Sequence, residues 1–94
     1  MFDYKIKVWP VKAANTKLVG IASVVVDGWF SVGGFRIVAG ANGLFVGPPQ
    51  SSGKNEEGEE AWYDNVRFFG EEGIENRKKM YDAILLEYYR SQDR

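Results

Sequence analysis

The 94-residue chain contains no cysteine and no histidine. Without cysteine there is no disulfide framework, no thiolate metal site and no cysteine nucleophile. Small secreted domains are usually stapled by disulfides, so this absence points to a reducing compartment, the cytoplasm. Without histidine the commonest general base and the commonest transition-metal ligand are gone. The two absences together predict a protein that is no enzyme and carries no cofactor or metal. Long apolar runs are missing as well. The longest, Ile21 to Val26, contains Ser23 and is far shorter than a membrane span. The opening stretch, Met1 to Lys7, has no apolar run of the signal-peptide kind, so neither export nor membrane attachment is expected.

What is present is ample for one core. The hydrophobic fraction is 45% and the aromatic fraction 15%, enough apolar surface to offset chain entropy in a single domain spanning 1–94. The net charge of -1 hides a segregated pattern. Residues 1–47 carry five basic and two acidic side chains, residues 48–75 two basic and eight acidic, and residues 76–94 five basic and three acidic. The chain is two mildly basic parts around an acidic insert.

Tyr4, Ile6 and Val8 alternate with Lys5, Lys7 and Trp9, the period of a half-exposed strand. Pro10 cannot donate to a ladder, so this strand ends there or runs along an edge. After a polar connection at 13–17, Leu18 to Val26 is almost continuously apolar and predicts a central strand. Asp27-Gly28 between apolar strands is a strong hairpin signal. A third strand follows from Trp29 to about Val38, with a bulge or close approach at Gly33-Gly34. Asn42-Gly43 predicts another tight turn, and Leu44-Phe45-Val46 a short strand stopped by Pro48-Pro49. Residues 50–60 read as an exposed acidic loop or the tip of a hairpin, and Ala61 to Phe69 as a last strand. From about 72 to 91 the pattern is helical. Ile74, Tyr81, Ile84, Leu85 and Tyr88 share a face, and Glu75 can pair with Lys79. The fold class is α+β: a small antiparallel sheet of four to five hairpin-connected strands with one C-terminal helix packed on it.

Three sets of residues bear on chemistry. Gly47 and Gly53-Lys54 have the wrong spacing for a phosphate-binding loop, with five residues between the glycines and Asn55 after the lysine. The carboxylates of residues 56–72 do not follow a calcium-loop spacing and read as solvated. Basic groups on the strands, namely Lys5, Lys7 and Arg36, together with the helical cluster Arg77, Lys78 and Lys79, could follow a phosphate backbone, with Trp9 or Trp29 as stacking platforms. Tyr89, Phe68, Phe69 and Trp62 exceed what one small core needs, and surplus aromatics mark association surfaces. An unprotected edge such as 4–9 would be covered by a second copy, so a homodimer joined through an edge strand is expected.

Specific residues go further. Ile21-Ala22-Ser23-Val24-Val25-Val26-Asp27, Phe35-Arg36-Ile37-Val38-Ala39-Gly40 and, above all, Asn42-Gly43-Leu44-Phe45-Val46-Gly47-Pro48-Pro49 resemble the stage V sporulation protein G, or septation-regulator, family. Trp62-Tyr63-Asp64-Asn65-Val66 and Ala83-Ile84-Leu85-Leu86-Glu87-Tyr88 fall where that family has its next strand and its helix end. The resemblance implies a small, cytoplasmic, dimeric and non-enzymatic regulator that binds DNA or RNA and influences septation, sporulation or gene expression. Family members often carry a Lys-Arg pair just after the proline. Here that stretch reads Gln50-Ser51-Ser52-Gly53-Lys54, and four glutamates follow among residues 56–60. Lys54 is its only cation, so nucleic-acid contact is expected from Lys5, Lys7, Arg36 and the 77–79 cluster besides. The alternative is a protein-interaction or inhibitor module, of the kind a phage or mobile element carries, that uses the acidic loop and the exposed aromatics.

Overall fold

The computed structural model describes residues 3–12 and 16–92; the connection expected at 13–17 lies largely outside them. Strands β1 (Tyr4–Pro10), β2 (Leu18–Val26), β3 (Phe30–Gly40) and β4 (Gly43–Gly47) form an antiparallel meander in the order β1-β2-β3-β4. Strands β5 (Gln50–Lys54) and β6 (Glu60–Asp64) pair into a separate two-stranded sheet, and the helix α1 (Gly70–Gln92) closes the chain. The architecture is α+β, as the sequence predicts.

Turn chemistry sets the register. Asp27 and Gly28 both take left-handed φ, 51° and 76°, which matches the right-handed twist of the flanking strands. Val26 pairs with Phe30, so Trp29 is left outside the ladder and β3 begins one residue later than the sequence suggests. The second turn also lies one residue early, on Ala41-Asn42, and Gly43 opens β4 with φ 115°. The expected bulge at Gly33-Gly34 is present: the register shifts between Ala22 and Ser23, and Gly34 is skipped with φ 91°.

Two expectations are corrected. Of the two readings of residues 50–60, the hairpin holds and the open loop does not: Gln50–Lys54 pairs residue for residue with Glu60–Asp64, and only 55–59 form the tip. Gln, Ser and Gly carry no β signal of their own, so the pairing is dictated by the partner strand. The last strand also stops at Asp64, well before Phe69. The Asn65 backbone N–H leaves the ladder to bond the Pro49 carbonyl at 2.7 Å. Val66 and Phe68 then turn inward against the core while Arg67 and Phe69 stay exposed, a segment with no partner strand among the described residues.

The core lies between one face of the four-stranded sheet and α1. Ala22, Val24, Phe35, Ile37 and Val46 meet Met80 and Ile84 there. Fully burying a side chain such as Ile84 contributes about 1.5–3 kcal/mol. Tyr81 stacks edge-on against Phe35 and Phe68, each at 6.2 Å between centroids, so Phe68 belongs to the core and is not surplus. Tyr81, Leu85 and Tyr88 share the buried stripe as expected, but Ile74 is exposed beside β4 and Met80 is buried. The Glu75–Lys79 pair forms at 3.8 Å on the surface, where such pairs contribute about 0.3–0.5 kcal/mol.

Gly20 sets how closely the helix approaches. A Cβ there would lie 3.2 Å from Ile37 Cδ1 and 3.3 Å from Tyr88 Cδ1. A larger side chain must displace the Ile37 and Tyr88 side chains that pack there. Gly20→Val is expected to lower stability by about 1–3 kcal/mol, read as a fall in the urea midpoint. An unchanged midpoint would show that Tyr88 swings away freely.

Candidate functional site

Because α1 covers one face of the sheet, the other face is open. Strand alternation places Lys5, Lys7 and Trp9 of β1 on that face, opposite Val25, Ser23 and Ile21 of β2. Ile21 in turn faces Arg36 of β3, and Arg36 faces Gly47 of β4. Trp9, Ile21, Arg36 and Gly47 therefore form one row across all four strands, and Val38 with Phe45 adds to the next. Trp9 is 53% exposed and Phe45 51%. The face carries two aromatic platforms, an aliphatic middle and three cations.

Arg36 is held in place. A Cβ on Gly47 would lie 3.0 Å from its Nη2, so the glycine leaves room for the guanidinium over β4. Arg36 Nη2 donates to Gln50 Oε1 at 3.1 Å, and Gln50 Nε2 donates to Asp64 Oδ1 at 2.7 Å. This chain of bonds ties the four-stranded sheet to the β5–β6 hairpin. Arg36 Nε is buried with no hydrogen-bond partner among the described residues.

The remaining predicted cations do not join this face. Lys54 ends β5 opposite Glu60. Arg77, Lys78 and Lys79 lie on α1, in the layer behind the sheet, and Lys79 is paired with Glu75. Lys5, Lys7 and Arg36 thus form one patch and the helical cluster another. Of the two tryptophans named as platforms, Trp9 lies on the open face. Trp29 projects from the β2–β3 turn, edge-on to Phe30 at 4.7 Å.

The acidic tip is ordered by Asn55. Its Oδ1 accepts from the backbone N–H of Glu57 at 3.0 Å and of Glu59 at 2.9 Å, while its own N–H donates to the Glu59 carbonyl at 2.9 Å. The glutamate side chains take no part in this turn and point their charge outward. Asn55 between a lysine and a glutamate pair was the sequence signal for such a side-chain-closed turn.

Sequence reasoning missed Arg67. It joins Arg77 along a cleft of about 690 Å³ between the end of β6, residues 66–69 and α1 at Arg77 and Tyr81. Tyr81 also lines this cleft. Burial raises its hydroxyl above the ordinary value of 10.0; Arg77 opposes that shift and Asp64 adds to it. Below about pH 10 the phenol is neutral in both folded and unfolded chains, and stability is unaffected. As the pH rises further, the unfolded chain ionises first and stability is lost through the folded-state value. Tyr81→Phe is therefore expected to make the alkaline fall in the urea midpoint shallower. An equally steep fall would remove Tyr81 from the account.

No helix among the described residues is long and apolar enough to cross a membrane. No curated protein matches the chain. The profile of the SpoVG family matches residues 1–90, which take in the sheet, the hairpin and nearly all of α1. With the match extending over almost the whole fold just described, the chain belongs to the SpoVG family.

Proposed function

We propose that this chain is a non-enzymatic, homodimeric regulator that binds single-stranded DNA or RNA on the open face of its four-stranded sheet. Family membership supports a small regulator tied to sporulation and septation. The observation that carries the binding reading is the row Trp9–Ile21–Arg36–Gly47 with Lys7 and Lys5 beside it. Lys5, Lys7 and Trp9 succeed one another on β1 at steps of about 6.7 Å, two strand residues each. A base stacked on an exposed aromatic contributes about 1–3 kcal/mol, and lysines beside it take the phosphates. The cytoplasm is the compartment this role requires.

The sheet has two edge strands, β1 and β4. β1 is guarded by Lys5, Lys7 and Pro10, whereas β4 is short, uncharged and apolar. A groove of about 600 Å³ runs beside β4, lined by Leu44, Ile74, Lys78 and Leu85 among others. We assign the dimer contact to β4 in place of the 4–9 edge. Sedimentation should then give twice the chain mass.

A second reading rests on the Asn55-closed acidic turn. It presents Glu56, Glu57 and Glu59 as an ordered knob suited to a basic protein surface.

Fluorescence anisotropy with labelled 20-mers of DNA and RNA at low salt tests the first reading. Lys5→Glu with Lys7→Glu should weaken binding by more than tenfold. Neutralising the pair, Lys5→Gln with Lys7→Gln, should lower the salt slope by about 1.4 for two lost phosphate contacts on a single strand. Trp9→Ala should weaken binding with the salt slope unchanged. Absence of binding at tens of micromolar would sink this reading. Changing Glu56, Glu57, Glu59 and Glu60 to Gln separates the two: it tightens nucleic-acid binding under the first and abolishes partner capture under the second.

A further inference from the structure

A cleft beside α1 shares Arg77 with the groove along β4 and Trp62 with the pocket at Arg36, and adds Arg67 and Phe69, which line neither of those. Its rim carries Trp62 and Phe69, 66% and 78% exposed. Its floor is apolar, with Phe68 and Tyr81 against the core. Arg67 and Arg77 both line it, and neither has an ion-pair partner among the described residues. The one carboxylate in the lining, Asp64, is already engaged by Gln50 at 2.7 Å.

The combination restricts what can fill the cleft. A purely apolar partner would cover two unpaired guanidinium groups, and desolvating an unpaired charge is strongly unfavourable. A simple anion would leave the aromatic rim in water. Guanidinium forks match phosphate oxygens in geometry and charge, and exposed aromatic faces take planar rings. The volume, about 690 Å³, lies within the ordinary range of small-molecule sites, roughly 300–1,000 Å³. We infer that this cleft binds a nucleoside monophosphate group, its base on the Trp62–Phe69 rim and its phosphate between Arg67 and Arg77. The inference does not rest on the open-face reading. The same group occurs in a free nucleotide and at the phosphorylated end of a strand.

Titration of the full-length protein with AMP, read through tryptophan fluorescence, is the test. AMP is expected to quench the Trp62 signal and to bind at least about tenfold more tightly than adenosine or inorganic phosphate, because each lacks half of the recognised chemistry. Arg67→Gln with Arg77→Gln should weaken AMP by more than tenfold with the circular dichroism spectrum unchanged, since both side chains are exposed. Trp62→Leu should remove the quench. A 5′-phosphorylated tetranucleotide run beside AMP distinguishes the sources: tighter binding of the tetranucleotide assigns the site to strand ends, tighter binding of AMP to free nucleotide. Equal AMP affinity in the double arginine variant would overturn the inference. So would AMP binding no tighter than phosphate, or tighter binding of a phosphotyrosine peptide than of either nucleotide.

Discussion

One helix can cover only one face of a four-stranded sheet, and the rest of this molecule follows from that constraint. The contact of Met80 and Ile84 with Ala22, Val24, Phe35 and Ile37 fixes which side chains are core and, by strand alternation, which are not. Slipping β1 by one residue would bury Lys5 and Lys7 and expose Ile6 and Val8. The same register that builds the core therefore gathers Lys5, Lys7, Trp9 and Arg36 on the opposite side. Small residues make the contact close. Gly20 and Ala22 under the helix let Tyr88 and Ile84 reach the sheet.

The fold was largely legible because its determinants are local. Alternation in β1, continuous apolarity in β2, the left-handed turn at Asp27-Gly28 and the helical stripe of α1 each act within a few residues of chain. What escaped was set at a distance. Gln50–Lys54 becomes a strand because Glu60–Asp64 supplies a partner, and its own residues carry no β preference. Val66 to Phe69 has the alternation of a strand but is recruited by the core and not by a ladder. Ile74 fits the helical stripe, yet it lies beside β4 and not over the sheet.

The candidate sites were legible to a smaller degree for the same reason. Residue type identified cations and aromatics, but only topology divides them. Arg36 and the 77–79 cluster are equal members of one list in the sequence and lie in different layers of the protein. Arg67 gave no signal in a strand-like aromatic run, and it gains significance only where the chain folds back toward Arg77. The structure also gives Arg36 a task that its charge alone does not suggest, as the first link of the Arg36–Gln50–Asp64 chain that positions the hairpin.

That hairpin is closed by its own backbone and by Asn55, while the side chains of Glu56, Glu57 and Glu59 take no part in holding it. The consequence concerns how such a scaffold diversifies. Charge at the tip can be rewritten, even inverted in sign, with no repacking of the interior. A single fold can therefore carry a tip of either charge on one unchanged interior.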